Sequence, residues 1–217
     1  MKSITKLLII LAFAATAAVS YAQTVGIKAG LNLSTMLVKD DNTSYSDNFK
    51  MNPGFNLGAT AEFPLIDMLS FETGFLFSTK GFIYSEEVFL VLIEGRMDLL
   101  YMDIPLNAKI TLGDGNAKIY ALAGPCVGIG LAGTSEGTVS ALGVTIDDDS
   151  IIEWGPDGDL KRFDLGFNAG VGVIINSVQV GVSYAMGLAN ISTNTDNGYR
   201  ANNHVLSISA GYVFGGK

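Results

Sequence analysis

The amino-acid sequence predicts an all-β fold: an eight-stranded antiparallel transmembrane β-barrel, preceded by a cleaved signal peptide. Three observations carry this. The chain opens on a short export leader, the remainder falls into eight stretches of period two, and the connectors between those stretches alternate short and long.

The leader reads MKSITKLLIILAFAATAAVSYAQ, with Lys2 and Lys6 ahead of an apolar run from Leu7 to Val19 and the small-residue site Ser20-Tyr21-Ala22. This is the layout of a secretory signal peptide cut after Ala22. The run is short against the roughly 20 apolar residues that a membrane-spanning helix needs. The expected organisation is a signal peptide at 1–22 and one barrel domain at 23–217. A single cysteine, Cys126, excludes an internal disulfide framework in an exported chain. With Lys2 and Lys6 removed, the 13 Lys and Arg fall to 11 against 21 Asp and Glu, a net charge of −10 that excludes nucleic acid as a partner. Yet 48% of the chain is hydrophobic and its mean hydropathy is +0.37. So apolar an acidic protein is expected to turn apolar side chains outward, with outer-membrane lipid as their partner.

The eight segments follow in order. Val25, Ile27, Ala29, Leu31 and Leu33 alternate with Gly26, Lys28, Gly30, Asn32 and Ser34; Phe55 to Phe63 alternate with Gly54, Asn56, Gly58, Thr60 and Glu62. Leu69, Phe71, Phe75 and Phe77 oppose Ser70, Glu72, Gly74 and Ser78, and Met102 to Leu112 oppose Asp103, Asn107, Lys109 and Thr111. The fifth segment runs from Ile119 to Leu131. The sixth sets Phe163, Leu165 and Phe167 against Asp164, Gly166 and Asn168; the seventh sets Val178, Val180 and Val182 against Gln179, Gly181 and Ser183. The eighth opposes Leu206, Ile208 and Tyr212 to Ser207, Ser209 and Gly211. Each is about 10 residues or longer, the span of a tilted transmembrane strand with apolar residues out and polar residues in. The second face is mostly Gly, Ser, Ala and Asn, which suits the cramped interior of eight strands better than a surface facing water.

The fifth segment contains GIGLAG, Gly128 to Gly133, a letter-for-letter match to the dinucleotide-binding G-x-G-x-x-G. That motif works only between a buried strand and a helix whose N-terminus meets the pyrophosphate. The following TSEGTVSALG has no helical period, while Gly124, Cys126, Gly128 and Gly130 fall on alternate positions. The glycines therefore read as one bare strand face, with Cys126 filling the lumen beside them, and no cofactor is expected.

Connectors at Pro64 to Asp67, Gly113 to Asn116 and Asn176-Ser177 are short, whereas those near 35–50, 82–97, 132–160 and 190–202 are long. Short periplasmic turns and long external loops are the outer-membrane pattern. Fifteen of the 21 acidic residues lie in the long connectors, so the charge belongs to the external face. Asp147 to Asp149 and Asp157-Gly158-Asp159 lack calcium-loop spacing and read as solvated, with no metal expected. The apolar run VFLVLI, Val88 to Ile93, reads as a hairpin continuing above the membrane, or else as an edge for a protein partner at the extracellular loops. His204 is the only histidine. Ser207, three residues on, points to the opposite face of an extended strand, so no Ser–His pair forms locally and no catalytic residue is assigned.

The phrases TVGIKAGLNLSTM, LLYMDIPLNAKI, RFDLGFNAGVGV and HVLSISAGYVF resemble the PorT-like family of small outer-membrane β-barrels, across essentially the whole mature chain. The resemblance implies an architecture similar in its strands and divergent in its loops, and no activity. The tail Gly215-Gly216-Lys217 departs from barrels that end on the aromatic itself.

Five charged residues, Lys28, Glu72, Asp103, Lys109 and Asp164, fall on the inward face and are expected to pair in a lumen network, with Glu72 opposite Asn107 and diagonal to Lys109. The function expected is a non-enzymatic integral outer-membrane barrel with acidic extracellular loops and a structural, adhesive or assembly role. A narrow pore or secretion-machinery component is the alternative, and an envelope lipid-modifying enzyme the third class. Protease added to intact cells is expected to cut within the four long connectors and to spare the turn at Asp114; the reverse pattern inverts the topology.

Overall fold

A computed structural model describes residues 24–89, 91–141 and 144–215; the leader read at 1–22 and the last two residues of the tail lie outside them. Ten strands form: β1 (Thr24–Lys39), β2 (Phe49–Lys50), β3 (Asn52–Ile66), β4 (Leu69–Val88), β5 (Val91–Leu112), β6 (Ala117–Ala141), β7 (Val144–Ile151), β8 (Phe163–Ile175), β9 (Val178–Gly187) and β10 (Arg200–Gly215). Eight of them form an up-and-down ring in the order β1-β3-β4-β5-β6-β8-β9-β10. The ring closes where β1 meets β10, from Thr24↔Gly215 to Lys39↔Arg200. Every pairing is antiparallel, and closure leaves none of these eight with a free edge in the membrane. The two extra strands are local: β2 pairs the upper part of β4, and β7 pairs the upper part of β6.

The faces sort as the period-two reading expects. Leu31, Phe55, Leu57, Ile119, Leu165, Val171, Val180, Val182 and Ile208 are exposed on the outside, Leu31 to 71%. Asn32, Glu72, Ser78, Asn107, Lys109, Asp164 and Ser209 are buried within. This inverts the arrangement of a water-soluble protein and matches a wall surrounded by lipid. Short turns bring β3 to β4, β5 to β6 and β8 to β9; in the last, Asn176 adopts a left-handed φ of 55°, the backbone that a two-residue hairpin requires.

Strands β4, β5 and β6 hold 20, 22 and 25 residues. A 20-residue strand at about 3.3 Å per residue runs roughly 65 Å, far beyond an apolar belt about 25 Å tall. The surplus stands up at the long-connector end. There the loop expected at 82–97 is strand, paired from Phe82↔Met97 to Val88↔Val91 and turning at Phe89, whose φ is 56°. Likewise 134–151 is largely a hairpin of β6 with β7. Cross-strand bonds satisfy the backbone of both stretches once the ring below has set the register, and β7 is exposed on both faces. Phe89 of the apolar run, between the paired Val88 and Val91, stands at the tip of the first hairpin.

A bulge resolves the glycine motif. Leu100 pairs with Ala132 but Tyr101 with Gly130, so Leu131 is the extra residue, and it and Ala132 both face outward. Gly128, Gly130 and Gly133 therefore all face inward although the last step is three residues. A β-carbon on Gly130 would stand 2.3 Å from the Trp154 ring, and one on Gly181 would stand 2.1 Å from the Tyr120 hydroxyl. The bare face is room for two large rings.

Substituting Val180→Arg, on the exposed face, is expected to destabilise the barrel, by up to the roughly 2–4 kcal/mol that an Arg on the lipid face costs. Ser183→Thr, three residues on and facing the lumen, is expected to be mild. Urea unfolding in lipid vesicles measures both, and equal losses would mean that the faces are assigned the wrong way round.

Candidate functional site: a filled lumen beneath an aromatic vestibule

The interior is layered along the barrel axis. Nearest the short turns, the Lys109 ammonium from β5 donates to Glu62 Oε2 at 2.8 Å, Glu72 Oε2 at 3.0 Å and Gln179 Oε1 at 3.3 Å, and lies 5.0 Å from the Tyr120 ring centre. Lys109 is 1% exposed and Glu72 4%, so these are desolvated charges, for which pairing is obligatory. The register makes the contact: Glu72 sits opposite Asn107, and Lys109 is its diagonal neighbour.

Amides fill the next layer. Asn32 Nδ2 donates to Ser78 Oγ at 2.9 Å and to the carbonyls of Phe55 and Thr79, while its Oδ1 accepts from Asn56 at 2.7 Å and Ser207 at 2.8 Å. One side chain thus ties β1, β3, β4 and β10 together. Above it, Lys80 from β4 bridges Asp103 Oδ1 at 2.9 Å and Asp164 Oδ2 at 3.3 Å, and Asn203 donates to the same Asp164 oxygen at 2.9 Å. Lys80 also stands 4.3 Å from the centre of the Tyr101 ring. Between the two ionic layers remains a cavity of about 70 Å³ touched by Lys28, Asn56, Glu72, Asp103, Asn107 and Cys126.

Tyr101, fully buried, meets Trp154 edge-on with ring centres 5.4 Å apart, and together with Leu99 they roof the ionic layer. Trp154 belongs to the segment after β7, which bends into the mouth: Trp154 bridges to Leu160, and Leu160 to Ser192 of the β9–β10 connector. Over this roof the interior becomes apolar. Met36, Val38, Leu99, Ile152, Leu160, Ile191 and Ala201 form a buried cluster, with Phe49, Phe82, Met97 and Tyr199 packed against it. A vestibule of about 1030 Å³ opens above. Phe49 and Phe82 stack at 4.0 Å between ring centres, and Tyr84 meets Phe49 edge-on at 6.1 Å. The Tyr84 hydroxyl donates to Glu86, which pushes the phenol pKa up. At the rim the Tyr45 hydroxyl donates to Asp40 Oδ2 at 2.7 Å; that bond, with backbone N–H donors from Asn42 and Thr43, holds the Asp40 carboxyl below its ordinary range.

The five lumen charges named from the sequence thus divide. Glu72 and Lys109 meet in the lower layer, Asp103 and Asp164 in the upper one through Lys80. Lys28 borders the cavity between them and makes no ion pair among the described residues. Lys80 and the ion-pairing role of Glu62 are absent from the sequence reading, although both share the inward parity of their strands. The apolar mouth was missed for the same reason. Continuing the alternation past Ser34 turns Met36 and Val38 inward, and continuing back from Asp103 turns Tyr101, Leu99 and Met97 inward. His204 faces outward and pairs with Tyr184, Oη to Nδ1 2.7 Å, while Ser207 faces the lumen. Asp147 to Asp149 are exposed on β7, and among the described residues no group of acidic, His and Cys side chains could hold a metal.

Comparison with known proteins gives a match of residues 5–214 to the family model described as outer membrane protein beta-barrel domain. Curated protein sequences give no match. Among solved structures, the chain is similar to OprG of Pseudomonas aeruginosa at 12% identity and TM-score 0.49, covering 90% of this chain and 98% of that one. It is also similar to the attachment invasion locus protein Ail of Yersinia pestis, at 19% identity and TM-score 0.39 over 88% and 98% of the two chains. The outer membrane protease OmpT of Escherichia coli follows at 10% identity and TM-score 0.38 over 89% and 97%. Likenesses of this depth transfer no residue roles.

Lys109→Ala is expected to destabilise by about 3–5 kcal/mol, because it leaves the buried Glu72 carboxylate without its cation, and Glu72→Ala by less, because Lys109 keeps Glu62 and Gln179. The double variant should lose less than the sum, because the two residues are in contact. A urea-unfolding cycle in micelles checks this, and additive losses would reject the coupling.

Proposed function

We propose, from the premise that this chain belongs to the outer membrane protein β-barrel family, that it is a closed, non-enzymatic barrel of structural, adhesive or assembly role whose work is done at its outer end. Its location is the outer membrane. The observation that carries the reading is the filled lumen: two ion clusters, the Asn32 amide layer and the Tyr101–Trp154 roof stand in series across a bore that eight strands make barely wider than its own side chains. A wall so plugged is a rigid mount, and the variable parts it holds up are the tall hairpins and acidic connectors. The exposed tip at Phe89 and the acidic β7 strand are the surfaces offered to a protein partner.

Within the family we read the chain as PorT-like, on the strand phrases TVGIKAGLNLSTM, LLYMDIPLNAKI, RFDLGFNAGVGV and HVLSISAGYVF. Against an enzyme stands the outward His204, paired to Tyr184 on the lipid side and separated by the wall from the lumen serines. A second reading, a narrow pore, draws on the polar cavity of about 70 Å³ between the ionic layers and the wide mouth at either end.

Single-channel recording in planar bilayers separates the two. The purified barrel is expected to give no steady unitary current; a steady ohmic current from the unmutated protein overturns the closed-barrel reading in favour of the pore.

A further inference from the structure

We propose that the vestibule is a binding site for a small organic cation, an ammonium group carried on an aromatic or alicyclic body. The inference goes beyond the mounting role argued above and rests on the chemistry of the vestibule walls. Its volume of about 1030 Å³ exceeds what one such molecule requires and lies at the upper end of the roughly 300–1000 Å³ of small-molecule sites. Its floor is sealed, because Tyr101, Leu99 and Trp154 close it against the ionic layer beneath. A molecule entering from outside therefore has a terminus rather than a path.

The walls select the class. Phe49, Phe82, Tyr84 and Tyr199 supply aromatic faces and edges around one space, and the charged residues bordering it are the carboxylates Glu86 and Asp159, with no Lys or Arg among the residues that line it. Aromatic rings attract a cation through the negative potential of their faces, and caged ammonium groups are the known use of that attraction. Glu86 lies on the inward parity of β4, two residues from Tyr84, and its hydrogen bond from the Tyr84 hydroxyl fixes both side chains at the rim. A carboxylate so held receives an ammonium without further ordering, while an anionic amphiphile would meet repulsion there. The apolar floor of Met36, Val38 and Leu160 then takes the body of the ligand.

The chain carries one tryptophan, Trp154, which packs behind the vestibule against the cluster whose members Met36, Val38, Ile152 and Leu160 line it, so its emission reports on occupancy from one layer below. The experiment titrates the full barrel, folded in detergent micelles, with 2-phenylethylammonium, 2-phenylethanol and phenylacetate. These share one ring and differ in charge. Trp154 emission is followed, with equilibrium dialysis of the same three compounds as a second measure. The ammonium is expected to bind saturably, the alcohol roughly tenfold more weakly, as loss of one charge-assisted hydrogen bond implies, and phenylacetate not to saturate. Glu86→Gln should erase the preference of ammonium over alcohol, and Tyr199→Leu should weaken both, in protein whose gel mobility still shifts on heating. Equal binding of ammonium and alcohol, saturation by none of the three in either measurement, or unchanged selectivity in Glu86→Gln overturns the proposal. If Glu86→Gln does not fold, the same comparison made in Tyr199→Leu decides it, since unchanged affinity there would place the probes elsewhere.

Discussion

Lys109 and Lys80 each hold two carboxylates inside a space that water barely enters, and much of the protein's design follows from that constraint. A ring of eight strands has an interior about one side chain across, so any charge placed there loses its hydration and must recover it from a neighbour. The neighbours come from different strands: Glu62, Glu72 and Gln179 around Lys109, Asp103 and Asp164 around Lys80. Each cluster thereby ties parts of the ring that are distant along the chain. An apolar filling could have matched the volume, but it would make no such demand on which strand faces which.

The same demand accounts for the glycines. Tyr120 and Trp154 need space inside a wall that has none to spare, and the positions facing them are Gly172, Gly181 and Gly130. GIGLAG resembles a nucleotide loop because both uses need a backbone without β-carbons; here what approaches is a ring from the same chain. The bulge at Leu131 lets the third glycine share the face of the first two.

How much of this was legible in the sequence depends on the range of the interaction. Period two is local, so the strands, their faces and the short turns could be read directly, and the Glu72–Asn107 register followed once one hairpin tip was placed. The reading stopped where segments stopped looking like membrane strands. Lys80, Met36, Val38 and Leu99 obey the same alternation, but Met36 and Val38 lie in the connector read near 35–50, Lys80 and Leu99 lie just past the ends of the third and fourth segments, and the strand above the membrane carries no distinct sign. The second partner of Lys80 could not have been found locally, because Asp164, unlike Asp103 on the neighbouring strand, is 84 residues away and is brought near only by ring closure. The inward turn of Trp154 is of the same kind, depending on the bridge from Leu160 to Ser192.

Closure of β1 onto β10 joins Thr24 to Gly215, almost the whole described length of the chain. No leading portion of the polypeptide can therefore reach a finished state on its own. Until the last strand arrives, the first presents bare amides and carbonyls to its surroundings, and Asn32 lacks Ser207. Pairing over such separation is slow. On its way to the membrane the unfinished chain therefore carries open strand edges on which other chains can pair. The joining of its two ends is then the event that commits it.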